Sequence, residues 1–197
     1  MGLLQIKPTD LDRSIAESVA KYTNPDIEAA ARFLTWGADE HLLLLAAGVA
    51  WLATRTSTSL PHQKLGSHLL VTSIAASILP HVLKAGIDQK RPDRESSEAH
   101  RHGVHFSGRA NDAFPSGHAI HMGAAAGAAT LLPPRKRDAV WLVAGLLSAT
   151  RIAILAHWAS DVVVGFAVGA GVERLIRRMT KPMRLSVEGE QDGKAAG

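Results

Sequence analysis

The stretch Arg151-Ile-Ala-Ile-Leu-Ala-His157-Trp-Ala-Ser-Asp161 decides how this chain is read. An arginine closes an uncharged run, Ala139 to Thr150, and a histidine and an aspartate follow at a spacing of four. On a helix, residues four apart share one face. A carboxylate bonded to one imidazole nitrogen fixes the tautomer and leaves the other nitrogen basic. That is the arrangement that orients a nucleophile. The pair alone is equally at home on an ordinary helix surface. The arginine separates the two readings, because a guanidinium at the end of an apolar run is costly in lipid and marks function.

Two stretches upstream extend the set. Phe114-Pro115-Ser116-Gly117-His118 precedes a long run of small residues. Ser116 caps a helix there, and a helix amino terminus offers free N–H groups and a positive dipole end to an anion. Gly117 lets the backbone approach such an anion closely, and His118 is placed to donate a proton to a leaving oxygen. His121 reads as a core or supporting histidine. Further upstream, Lys84 and Arg91-Pro92 flank a short connector. Arginine suits bidentate phosphate contacts and lysine acts as a point charge. Alone, both read as cations reaching up to a membrane surface, as do Lys90 and Arg94. Together the three stretches supply three permanent cations, a Ser-Gly pair, two histidines and a carboxylate, the groups needed to move a phosphoryl group through a histidine without a metal.

Composition narrows the class. A length of 197 residues suits one domain, and 22 Lys+Arg against 18 Asp+Glu leaves a formal net charge of only +4. The basic residues are not interleaved with aromatics, which argues against a nucleic-acid face. Cysteine is absent, so neither disulfides nor thiolate metal sites are available. The first ten residues carry no signal-peptide pattern.

Residues 11 to 36 read as one or two amphipathic helices, with Leu11, Ile15 and Val19 at helical spacing and Asn24-Pro25 as a helix start. Both a solvated cap on the bundle and a helix lying at a bilayer surface fit them. Five uncharged segments follow: Leu42 to Ala53, Leu65 to Leu83, Ala113 to Pro134, Ala139 to Thr150 and Val162 to Val172. A span takes roughly 20 apolar residues, a length the second and third segments meet. The basic groups Arg55/Lys64, Arg135–Arg137 and Arg174 to Arg184 fall on one side of such a bundle, as the positive-inside rule asks. Trp36, Trp51, Trp141 and Trp158 sit near segment ends, where interfacial tryptophans belong. The expected fold is an all-α integral membrane bundle of about five spans. It comprises an amphipathic region over 1–40, a catalytic bundle over 41–179 and a disordered tail over 180–197. The three motifs then lie on the non-cytoplasmic face, and the amino terminus lies outside if only five segments span. A soluble bundle with short core helices is the alternative.

Over residues 84 to 161 the chain resembles the type 2 phosphatidic acid phosphatase family, which shares a superfamily with bacterial acid phosphatases and vanadium haloperoxidases. All three motifs stand in the family's order, with Thr150 where the family usually has serine. The resemblance implies that His157 attacks phosphorus and forms a phosphohistidine, that Asp161 holds His157, and that His118 protonates the departing alcohol. Lys84, Arg91, Ser116, Gly117 and Arg151 would hold the phosphoryl oxygens, with no metal and no other cofactor. It implies a lipid phosphate or diphosphate substrate in a bacterial inner membrane, with the site facing the periplasm or exterior. Candidates are phosphatidic acid, phosphatidylglycerol phosphate, a polyprenyl diphosphate or a phosphorylated lipid A. Substrate choice is expected to rest on the first two apolar segments and the loop 93–112. The histidines His100, His102 and His105 in that loop read as solvent-facing rather than as a zinc site. The rival readings are a soluble-type acid phosphatase on small phosphomonoesters, a vanadate-dependent haloperoxidase and a non-catalytic binder of lipid head groups.

Overall fold

The computed structural model of the protein describes residues 3–95 and 110–182. Local chemistry sets most helix starts. Thr9 and Asp12 exchange hydrogen bonds across the first turn of α1 (Asp10–Tyr22), a capping box. Asn24 accepts from the Ile27 N–H at 2.8 Å and Pro25 opens α2 (Pro25–Thr35). A 3₁₀ turn, Trp36–Ala38, leads to α3 (Glu40–Arg55), whose first N–H groups are capped by the Asp39 carboxylate. The remaining helices are α4 (Leu60–Gly86), α5 (Gly117–Ala128), α6 (Pro134–Ala153) and α7 (Ala159–Thr180).

Helix α5 is the axle of the bundle, with nine of its 12 residues buried. It crosses α7 at backbone contact distance. A Cβ added to Gly123 would lie 1.9 Å from the Phe166 carbonyl oxygen, and one added to Gly169 would lie 2.0 Å from that of Ile120. No side chain fits at either position, and helices that approach so closely gain dispersion contacts along the crossing. Small buried residues fill the rest of the centre: Ala38, Met122, Ala126 and Ala144 in one cluster, Ala76, Ile120 and Ala124 in another.

The distribution of polarity runs opposite to that of a water-soluble globule. Leu45, Val49, Leu52, Ile78, Val82, Leu142, Leu146 and Val163 are exposed. Inside, His68 and Glu173 are fully buried and bonded to each other at 3.0 Å. Arg177 donates to Glu173 at 2.9 Å and to Thr130. Large apolar residues outside and paired charges inside form the pattern of a helical bundle in lipid. The network of His68, Glu173, Arg177 and Thr130 also ties together the ends of α4, α5 and α7 that carry the basic segments.

Several expectations change. Among the described residues only α4, with 27 residues and a mean hydropathy of 1.5, is long and apolar enough to cross a bilayer by itself. A count of five spans is therefore not established. The uncharged run Ala113 to Pro134 forms a helix of 12 residues, about 18 Å long against a hydrocarbon core of about 30 Å. The Ser116 cap starts it late, and a 3₁₀ turn, Ala129–Leu131, ends it just before Pro133-Pro134. Trp158 is buried, with its ring N–H donated to the Lys90 carbonyl at 2.8 Å, so it pins a loop rather than marking an interface. Two short strands interrupt the all-helical pattern: β1 (Leu4–Gln5) pairs in parallel with β2 (Ile87–Asp88). The expected tail over 180–197 lies outside the described residues from 183 onward.

Candidate active site

Helix α6 ends at Ala153, and the chain reverses through residues 154–158. The N–H groups of Ala156 and His157 both donate to the Arg151 carbonyl, at 3.0 and 3.2 Å. Leu155 takes a left-handed conformation, φ 53°, which costs a non-glycine residue about 1–3 kcal/mol. Burial of its side chain against Ala20 and an N–H···O bond from Asp93 to its carbonyl, 3.3 Å, hold it there. His157 thus leaves the turn ahead of α7 and is not a helix residue, contrary to the expectation from its spacing.

The ring of His157 is fixed by the backbone. Its Nδ1 lies 2.7 Å from the Ala113 carbonyl oxygen. A carbonyl only accepts, so Nδ1 carries the proton and Nε2 keeps the lone pair. The Asp161 carboxylate, expected to bond the ring directly, is 3.7 Å from Nδ1, and the same oxygen accepts the Trp158 N–H at 2.9 Å. Asp161 opens α7 and sits fully buried behind the imidazole. Burial, and then the charges of Arg151, Arg91 and Lys84, hold the His157 pKa well below its ordinary value. The imidazole is therefore neutral at physiological pH.

Backbone ladders bring the three motifs together. The Gln89 N–H donates to Asn111 at 2.9 Å, the Ala113 N–H to Gln89 at 3.0 Å, and the Arg91 N–H to Ala110 at 3.2 Å. The strand after Lys84 is thereby tied to the segment leading into Pro115. The Ser116 N–H donates to the Asp161 carbonyl at 3.2 Å, and the Ser116 hydroxyl accepts from Ala119 at 3.4 Å. Ser116 is fully buried and its polar groups serve the fold. The donors left at the start of α5 are the N–H groups of Gly117 and His118, which have no intrahelical acceptor.

The cations converge on this point. The charges of Arg151 and Lys84 act on both His118 and His157. Arg91 donates through Nε to Asp112 at 2.8 Å, and Lys84 Nζ stands 3.9 Å from the other oxygen of that carboxylate. Arg151 donates to the Thr35 hydroxyl at 3.2 Å, while its buried Nε has no acceptor among the described residues. Thr150 bonds Thr35 at 3.0 Å, so the hydroxyl expected at that position braces α2 against α6.

Three groups were missed from the sequence. Asp112 aims two cations. Thr35 supports Arg151 from a helix with no motif. Asp12, buried in α1, accepts from the Ser160 N–H at 2.9 Å and the Ser160 hydroxyl at 2.8 Å. It therefore caps α7 as well as its own helix. Burial pushes the Asp12 carboxyl up, but hydrogen bonds from Ser160 and Thr9 outweigh this and hold it below its ordinary value. None of the three has a local sequence signal beyond the Thr9–Asp12 capping spacing. Among the described residues no cluster of His, Cys, Asp or Glu is arranged to hold a metal ion. His100, His102 and His105 lie outside those residues, as does most of the loop 93–112.

A helical bundle that collects fixed cations, a helix amino terminus and two imidazoles at one end defines a class of oxyanion-binding helical proteins. The family model described as "PAP2 superfamily" matches residues 65–184. This protein belongs to the PAP2 superfamily. It is similar to the lipid A 1-phosphatase of Rhizobium johnstonii, at 38% identity over 107 residues covering 54% of this chain and 44% of that protein. Its similarity to the Rhizobium etli lipid A 1-phosphatase is also 38%, covering 53% and 46%. The matched region is thus less than half the length of these relatives. In fold it resembles the crystal structure of a transmembrane PAP2 type phosphatidylglycerolphosphate phosphatase from Bacillus subtilis. The TM-score is 0.62 at 15% identity, covering 87% of this chain and 85% of that one. It also resembles Aquifex aeolicus LpxE, with a TM-score of 0.64 at 14% identity and coverage of 89% and 99%.

Proposed function

We propose that this protein is a phosphatase acting on a lipid phosphate or diphosphate at the non-cytoplasmic face of a bacterial inner membrane. The observation that carries the reading is the fixed tautomer of His157, with a lone pair on Nε2 in the combined field of Lys84, Arg91 and Arg151. In the first step His157 Nε2 attacks phosphorus and an N–P bond forms. The P–O bond to the lipid breaks, and His118, neutral in the free site and protonated beside the anionic phosphate of the substrate, gives that proton to the leaving oxygen. In the second step water attacks the phosphohistidine, His118 takes the water proton, and the N–P bond breaks to release phosphate. The charge that develops on the equatorial oxygens is met by the three cations and the Gly117 and His118 N–H groups. Asp161 stabilises the imidazole while it carries the phosphoryl group.

The names of the relatives support a lipid substrate, and the apolar exterior supports a membrane setting. The gathering of basic residues at the end of the bundle away from His157 supports a site on the non-cytoplasmic face. The bundle over 41–179, with 1–40 docked on its active end, is proposed as the catalytic unit. The test is phosphate release by the full chain in detergent, with a chelator present, from a panel of lipid phosphates and diphosphates. The wild type should turn over and His157→Ala should not. Equal rates for the two proteins would end the proposal.

A further inference from the structure

A slot of about 280 Å³ lies between α3, α4 and α5, below the active end of the bundle. Its walls are small and apolar, with Ala47, Ala76 and Ala124 among them. Two buried polar atoms on its lining residues have no hydrogen-bond partner, His121 Nε2 and Thr72 Oγ1. Each residue is 4% exposed. A buried polar group without a partner costs about 1–3 kcal/mol, so two beside one cavity mark a place where a ligand supplies the missing bonds.

A carboxylate stands beside the lining residue His121, at the first residue of α3. Glu40 Oε2 is 3.9 Å from His121 Nε2, too far for a direct bond. The other Glu40 oxygen stands 3.9 Å from His81 Nε2 at the exposed edge. A hydroxyl or amide group about 2.8 Å from each partner fits between Glu40 and His121, donating its proton to the carboxylate and meeting the imidazole on its other side. His121 follows His118 by three residues and acts electrostatically on it, so this gap adjoins the reacting end of the site. From His121 to Ala128 the slot descends about 10 Å along α5.

We infer that Glu40 and His121 are specificity-determining residues that read a hydroxyl- or amide-bearing backbone between the phosphate ester and the acyl chain of the substrate. The inference rests on the phosphatase reading above and narrows its substrate class. Monoacylglycerol phosphates, through their free glycerol hydroxyl, and acylated amino-sugar phosphates carry such groups. A polyprenyl diphosphate does not, since its hydrocarbon begins at the ester oxygen, and it would leave both side chains unsatisfied. Thr72, deeper in the slot, meets a further polar group on the chain.

The experiment compares kcat/KM in detergent for three substrates: a monoacylglycerol phosphate, an acylated glucosamine phosphate and a polyprenyl diphosphate. It uses the wild type, His121→Leu, His121→Gln and Glu40→Gln. Glu40 is partly exposed, so its variant does not depend on core packing. The wild type should prefer the first two substrates, and the preferred one of them identifies the backbone. In His121→Leu and Glu40→Gln the preference over the polyprenyl substrate should fall about tenfold, mainly through KM. His121→Gln, which keeps a donor, should restore part of it. A preference unchanged in both variants, whether the rates fall together or not at all, overturns the inference while leaving the phosphatase reading intact. A wild type inactive on every substrate overturns both.

Discussion

His157 Nδ1 bonds the Ala113 carbonyl at 2.7 Å, whereas the Asp161 carboxylate stands 3.7 Å from it. The ring's tautomer is therefore set by the backbone just before Pro115, and the carboxylate does not bond the ring. The two residues should respond differently to substitution. His157→Ala removes the proposed nucleophile and should leave no turnover above background. Asp161→Asn keeps an oxygen for the Trp158 N–H and leaves the Ala113 bond in place. It should cost about 10–100-fold in kcat, as the loss of a supporting partner does. Steady-state kinetics on any accepted lipid phosphate separates these outcomes, and equal losses would return Asp161 to the role of direct partner.

Burial and three cations hold the His157 pKa well below its ordinary value. The nucleophile then stays unprotonated through pH 6.5, and its titration does not produce an acid limb near that pH in kcat/KM. Stability carries the opposite cost. Unfolded His157 binds a proton below about pH 6.5 and the folded form does not, so stability falls as pH drops below that value. Melting curves between pH 8 and 5 should show the decline, with a shallower slope in His157→Gln.

Arg151 is buried, donates to Thr35 and has an Nε without an acceptor among the described residues. Its remaining donors suit a phosphoryl oxygen. Arg151→Gln should lower kcat by about 10²–10³-fold, the scale of losing one donor to a developing oxyanion. Thr35→Val removes only the brace and should have a far smaller effect. Comparable losses in the two variants would make Arg151 a structural residue.

The Asp12 carboxylate caps two helices at once, accepting from the Thr9 N–H just before α1 and from the Ser160 N–H in α7. Asp12→Ala should destabilise the fold by about 1–3 kcal/mol. Its folded pKa is held down, so the contribution is present above the unfolded carboxylate pKa of about 3.9 and is lost as pH falls through the lower folded value. Thermal unfolding of wild type and variant at neutral pH, then at acid pH below about 3.9, tests this: the difference should shrink steadily as the pH falls.

The motifs and the five helices were legible because each is a local pattern: a cap, a proline, an uncharged run, a fixed spacing. What the sequence hid was partnership at a distance. Asp12 and Ser160 are 148 positions apart, and Thr35 and Arg151 are 116 apart. No periodicity connects them. The spacing of His157 and Asp161 suggested a shared helix face. The left-handed Leu155 lies in the turn that separates the helices, and α7 begins at Ala159, two residues after His157. The run Ala113 to Pro134 suggested a span because hydropathy counts residues and does not see where a serine cap and a 3₁₀ turn shorten the helix.

Gly123→Ala or Gly169→Ala should separate α5 from α7, since each added methyl would stand 1.9 or 2.0 Å from a carbonyl oxygen, far inside van der Waals contact. A loss of about 1–3 kcal/mol or more is expected, read as a lower melting temperature in detergent. The same crossing has a mechanical consequence. The segments bearing His118 and His157 ride on two helices that cannot slide past each other without collision, so they form one rigid jaw. Whatever motion admits the proposed lipid falls to the opposing jaw, α3 and the upper half of α4, where the close approach among the described glycines, Gly66 on Thr54, meets a side chain and not the backbone.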